Sequence, residues 1–292
     1  MVTDRKIIVS NGNTSVELTA LPYRVRRIKG FDTLNVQIVS SQGYNQVGAS
    51  VINSYVTPRD MSIEGQIKAE TTAQMQSLRD KLLNLFLPGK DITVNHFYGG
   101  KNRLIVARVE KTPQFADTEV TTVQTFAVEL LAPQPYWRDI TETLIPLANT
   151  VGGIHFPLVI PKTGITFGLK ASSLIANVYN YSSINVGMRI EFIAKGAVTN
   201  PQLFNVYTRD YIRLLCSMEA GEKITIQTGE DKTVTRNANG ISEDYIGKID
   251  LQGGGNTFLE LAPGDNLFRY SADDGESQLE VRIYFVNKYP GV

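Results

Sequence analysis

FLELAPGDNLFRYSADDG, residues 258–275, carries apolar runs on either side of a stiff corner. Phe258, Leu259 and Leu261 lead into Pro263-Gly264-Asp265-Asn266, and Leu267, Phe268 and Tyr270 lead out. Proline fixes φ, and the glycine after it accepts the positive φ of a type II turn. Asp265 and Asn266 are placed to close the corner with side-chain to backbone hydrogen bonds. The stretch reads as strand, tight corner, strand.

Outward from this corner the dominant period is two. Met188, Ile190, Phe192 and Ala194 alternate with Arg189, Glu191 and Lys195. Ile224 and Ile226 face Val234 across Gly229-Glu230-Asp231, and Leu279, Val281, Ile283 and Phe285 make the last strong strand. Many short strands with closely spaced turns predict a β-sandwich or jelly roll. In the first half, Leu34, Val36 and Ile38, then Met61 and Ile63, then Phe126, Val128 and Leu130 show the alternation of strands with one buried face. Residues 92–97 and 104–109 add a hairpin across Gly99-Gly100-Lys101-Asn102.

Residues 71–87 break the pattern. Met75, Leu78, Leu82 and Leu85 fall at helical spacing, with Leu83 and Phe86 widening the stripe. Thr71 and Gln74 fit a capping box, and Pro88-Gly89 supplies the stop. Residues 41–57 differ again: a Gly-, Ser- and Asn-rich loop without charge that carries Tyr44, Val47, Val51, Ile52 and Tyr55. Loops of this length are usually functional or disordered, so it reads as a docking arm or a mobile surface loop. Pro133 and Pro135 end the first set of strands, and Gly152-Gly153-Ile154-His155-Phe156-Pro157 and Pro161 form a crossing segment. A boundary near residue 140 predicts domains at 1–140 and 141–292.

The chain has 292 residues, of which 42% are hydrophobic, enough for real cores. Lys+Arg and Asp+Glu number 29 each. That balance argues against nucleic-acid specificity, which needs a basic footprint, and it removes the self-repulsion that resists self-association. No stretch reaches the roughly 18 apolar residues of a membrane span, and no signal-peptide core is visible, so synthesis in the cytoplasm and a soluble product are expected. Cys216 is alone, in an apolar run, and reads as an inert buried thiol. His96 and His155 have no neighbour at metal-ligand spacing, no cofactor is expected, and Gly253-Gly254-Gly255 lacks the lysine and helix of a phosphate loop. No Gly-x-Ser-x-Gly elbow or distinctive carboxylate pair points to catalysis. Asp273-Asp274-Gly275-Glu276 reads as a solvated turn. Tyr179, Tyr207 and Tyr211 are candidate sugar-stacking faces, with interface or sheet-edge roles as the alternative.

The order of several of these motifs carries a resemblance. The helix at 71–87 with its Pro-Gly stop, Pro135-Tyr136-Trp137, the crossing segment at 152–157, the run from Gly187 to Gly196, Thr199-Asn200-Pro201, Ala220-Gly221-Glu222-Lys223-Ile224, Pro263-Gly264-Asp265-Asn266 and the segment 284–292 follow one another as in a known family. In this the chain resembles the distal tail proteins of long-tailed, siphovirus-type bacteriophages. The resemblance implies a mainly β fold: a ring-forming N-terminal β domain with one helix and an extended belt, and a galectin-like C-terminal β-sandwich. It implies a hexameric ring at the tail tip, in the baseplate. Its expected partners are the tail tube protein, the tail-associated hub protein and receptor-binding proteins. The belt is expected at residues 41–57, so Tyr44, Val51, Ile52 and Tyr55 are expected to contact a neighbouring subunit. Competing readings are a carbohydrate-binding host-recognition protein, a glycan hydrolase, and the ring of a prophage-derived, tail-like bacteriocin.

Overall fold

The computed structural model describes residues 5–116, 122–147, 149–152, 168–171, 175–252 and 257–292. His155, most of the crossing segment and Gly253 to Gly255 lie outside the described residues. The chain divides into two compact units, residues 1–140 with 288–292, and residues 141–287. The last five residues, expected in the second domain, therefore belong to the first.

The first unit is built on strands β1 (Lys6–Ser10), β2 (Ser15–Glu17), β3 (Tyr23–Lys29), β4 (Val36–Ser41), β5 (Ser50–Val56), β6 (Arg59–Lys68), β7 (Asp91–Tyr98), β8 (Lys101–Phe115), β9 (Val123–Ala132) and β10 (Trp137–Asp139). One sheet runs β2-β1-β7-β8-β9-β6-β3, with β10 beside β8 and Lys288–Tyr289 beside β10. Its two ends meet: Leu18 N donates to Ile7 O at 2.8 Å and Val25 N to Leu18 O at 2.7 Å. The alternating apolar set then points inward, and Ile7, Ile63, Val94, Ala107, Val128 and Leu130 are buried together. Gly99 and Gly100, both at positive φ, make the β7–β8 turn.

Helix α1 (Thr72–Leu85) starts where the capping residues place it. Gln74 N donates to Thr71 Oγ1 at 3.2 Å, and Gln74 Oε1 accepts from Glu70 N at 2.7 Å. Met75, Leu82, Leu85 and Phe86 are buried, but Leu83, expected in the apolar stripe, is exposed.

The second unit is a β-sandwich. One sheet runs Thr143–Pro146, Leu279–Phe285, Val186–Ala194, Lys223–Gln227, Thr233–Ala238, Ile241–Asp244, with Glu260–Leu261 also on Val186–Ala194. The other runs Ile175–Asn180, Gly264–Ser271, Gln202–Asn205, Tyr211–Arg213. Met188, Ile190, Phe192 and Ile283 from the first meet Val178, Leu203, Phe268 and Tyr270 from the second in one core.

The Pro263-Gly264 corner is where the chain changes sheets: Glu260–Leu261 pairs with Val186–Gly187, whereas Gly264–Ser271 pairs with the opposite sheet. Gly264 has φ +87°. Asn266, 1% exposed, closes the corner; its Nδ2 donates to Ala262 O at 2.7 Å and Gly264 O at 3.0 Å, and its Oδ1 accepts from Ala262 N at 2.9 Å. Asp265, expected to share this task, instead accepts from Asn177 Nδ2 at 2.6 Å.

Candidate functional site: an exposed apolar arm

Between β3 and β6 the chain runs out into β4 and β5, which pair only with each other in a two-stranded sheet. The expectation of a loop at 41–57 is corrected: most of it is the tip and second strand of a hairpin. The expectation that Val36 and Ile38 line a buried face is corrected too, because every residue of both strands is exposed. The tip is held by polar side chains, with Gly43 N donating to Gln46 Oε1 at 2.8 Å and Gln46 Nε2 to Ser50 Oγ at 3.2 Å.

Cross-strand partners share a face of the pleat. Val36 pairs with Val56 and Ile38 with Ser54, and after a register shift Ser40 pairs with Val51. Gln37 pairs with Tyr55 and Val39 with Asn53 on the opposite face. Val51 thus lies with Val36, Ile38 and Val56, while Tyr55 lies with Val39. Ile52 occupies the bulge and Tyr44, 99% exposed, the tip. The four residues singled out in the sequence are on one arm but not on one face.

The arm springs from a rigid base. Arg59, 1% exposed, donates to five backbone carbonyls: Pro135 at 2.6 Å, Gly30 at 2.7 Å, Phe31 at 3.1 Å, Thr33 at 3.0 Å and Pro290 at 2.5 Å. Burial pulls its pKa below the ordinary arginine value, opposed by Asp32. Trp137 Nε1 donates to Phe31 O at 2.9 Å. At Gly30, φ +75°, an added Cβ would sit 1.9 Å from Asp60 O. The sequence carried a signal for Arg59 that went unread: it falls on the buried phase of β6, two before Met61.

Tyr179, Tyr207 and Tyr211 do not converge. Tyr179 and Tyr211 lie on the two outer strands of the four-stranded sheet, with two strands between, and Tyr207 is in the turn between Gln202–Asn205 and Tyr211–Arg213. Tyr179 packs its ring on Tyr181 instead, centroids 4.5 Å apart. The acidic turn is tied down: Asp273 Oδ2 accepts from Asn200 Nδ2 at 2.7 Å and Arg213 Nη2 at 2.6 Å. Burial pushes the Cys216 thiol up to about 11. His96 is buried, and its Nε2 accepts from Arg5 Nε at 2.9 Å. Among the described residues no cluster of three or more His, Cys, Asp or Glu could hold a metal.

Two protein-family descriptions match, together covering well over half the chain. A phage tail protein RIFT-related domain covers residues 15–132, and the C-terminal domain of a siphovirus-type tail component covers residues 182–289. The fold also resembles solved structures. The Dit protein of phage SPP1, described as a paradigm of the hub adsorption apparatus in phages infecting Gram-positive bacteria, aligns at TM-score 0.69 and 10% identity over 97% of this chain and 98% of that one. A chain of the phage P2 baseplate, in its activated conformation with calcium, aligns at TM-score 0.55 and 12% identity over 100% of both chains. The strontium form of that baseplate gives TM-score 0.54 at 12% identity over 99% of both. Comparison with curated protein sequences found no match. The two-unit fold with its matching domains defines a phage tail protein. The chain belongs to the siphovirus distal tail protein family and is a component of the phage tail.

Proposed function

We propose that copies of this chain close into a hexameric ring at the distal end of the tail tube, each arm docking on the neighbouring subunit. The ring would join the tail tube protein above to the tail-associated hub protein below, carry receptor-binding proteins, and perform no catalysis. It would be made in the bacterial cytoplasm and reside at the virion tail tip.

The observation that carries this reading is the arm. A lone two-stranded hairpin is marginal in water, yet this one exposes Val36, Ile38, Val51, Ile52 and Tyr55 without a charged residue on either strand. Apolar side chains on both faces suit a strand pair clasped between two surfaces. A ring closes through a heterologous interface, and permanent interfaces of this type bury about 2,000 Å² or more. Tyr179, Tyr207 and Tyr211 carry no part of this reading.

Light scattering on a sizing column, over a concentration series, tests it. The expected species has six times the 32.3 kDa chain mass, or twice that for stacked rings. Removing residues 44–55 should abolish the assembly while both units stay folded. A monomer at every concentration, unchanged when tail tube protein is added, overturns the ring.

A further inference from the structure

The outer face of the first unit carries a second feature, unrelated to the arm. Four arginines, Arg5, Arg24, Arg26 and Arg27, line one cavity of about 250 Å³, with Ile7 and Val25 among its other walls. Three of the four come from β3, where a register shift between Val25 and Arg27 interrupts the alternation, so that Arg26 has no cross-strand partner. The fourth is held from behind: Arg5 Nε donates to the buried, neutral His96 at 2.9 Å.

Three other cations of this sheet have carboxylate partners, Lys29 with Glu64, Arg108 with Asp91 and Lys111 with Glu129, whereas Lys6, Lys68 and Arg103 have no ion pair among the described residues. Arg24, Arg26 and Arg27 form no ion pair among the described residues, although all three are exposed and Arg27 stands directly across from Glu64, the partner of Lys29. Glu17, on the neighbouring strand, accepts from Thr19 Oγ1 at 3.2 Å. Charges on a sheet edge often serve only to block unwanted pairing. Here that role is weakened, since Val25 N is already bonded to Leu18 O across the seam. Lysine would also suffice for it, whereas guanidinium forks match carboxylates in bidentate geometry.

We propose that this pocket docks an acidic, extended segment of another protein of the tail, its carboxylates taken by Arg24, Arg26 and Arg27 and its apolar side chains by the half-buried Val25 and Ile28, which also line it. A protein is favoured over nucleic acid because the chain has no net positive charge and the arginines form one short cluster rather than a stripe that tracks a phosphate backbone. The tail-hub reading supplies the source of the segment; the pocket and its charge stand without it.

The test uses the full chain and a fluorescein-labelled twelve-residue peptide alternating Glu or Asp with Val or Thr, followed by polarisation at low and moderate salt. Saturable binding that weakens with salt is expected. It should fall at least tenfold in the triple variant Arg24→Gln, Arg26→Gln, Arg27→Gln, and stay near wild type when Lys68, Lys81 and Lys90 become Gln, which removes the same charge elsewhere. No binding, equal losses in both triple variants, or a labelled duplex DNA that binds more tightly and loses affinity in the arginine variant would each overturn the proposal. Light scattering on the same preparations separates the two readings. A ring that ignores the peptide sinks the pocket alone; a peptide-binding monomer sinks the ring alone.

Discussion

Arg59 is the residue on which the base of the arm depends. A buried guanidinium satisfied wholly by carbonyls ties Gly30, Phe31 and Thr33 to Pro135 and Pro290. Arg59→Met should cost about 3–5 kcal/mol in urea unfolding of the first unit, by analogy with losing one partner of a buried charge network. Arg59→Lys should rescue little of it, because an ammonium cannot reach five acceptors in a planar fork. His96 gives a pH dependence. Burial, with Arg5 and Arg103 nearby and Asp32 opposing, pushes its imidazole down to about 4, from an ordinary 6.5. Between those values the unfolded chain binds a proton that the folded chain refuses, so stability falls as pH drops from 6.5 to 4 and levels off below. The term is at most about 3 kcal/mol. It should appear as a fall in urea midpoint between pH 7 and pH 5 that is smaller in His96→Gln, which keeps an acceptor for Arg5.

Elements were legible in the sequence wherever their determinants are local. The helix announced itself through Thr71, Gln74 and the Met75-Leu82 spacing, and Thr71→Ala should lower stability by about 1 kcal/mol. The corner at Pro263-Gly264 was readable for the same reason. That it switches sheets was not, because the pairing of Glu260–Leu261 with Val186–Gly187 is decided by residues far away in sequence. Asn266→Ala should cost about 2–3 kcal/mol, since it strips the corner of its bonds and leaves Ala262 N without its acceptor. The arm was half-read. Its composition marked it as a candidate docking arm, but the bulge after Val39 breaks the period of two, and strands with no buried face lack the alternation by which strands are recognised. Arg59 was missed because an arginine on an apolar phase looks like a strand edge until its acceptors, drawn from distant segments, come together.

At the scale of the whole molecule, two units with separate cores predict two unfolding steps. Calorimetry of Asn266→Ala should shift the step belonging to the second unit and leave the other in place, whereas Arg59→Met should do the reverse. A single transition moved equally by both substitutions would mean that the cores unfold as one. The expectation of a boundary near residue 140 rests on Pro133 and Pro135, which end the first set of strands. The return of the chain to the first unit was not visible, because Lys288 and Tyr289 form a strand of two residues, too short to have a period.

That return makes the second unit an insertion, bracketed at both ends by the first. The carbonyl of Pro290 completes the cage of Arg59, Arg103 donates to Gly291 O, and an added Cβ at Gly291 would crowd Asp32 O. On the ribosome these residues emerge after the entire sandwich has been made. The main strands of the first sheet are complete by Asp139, so the fifth carbonyl around Arg59 is the last part of the arm's base to be made. Synthesis order thus leaves the cage of Arg59 one acceptor short until residue 290 is in the chain.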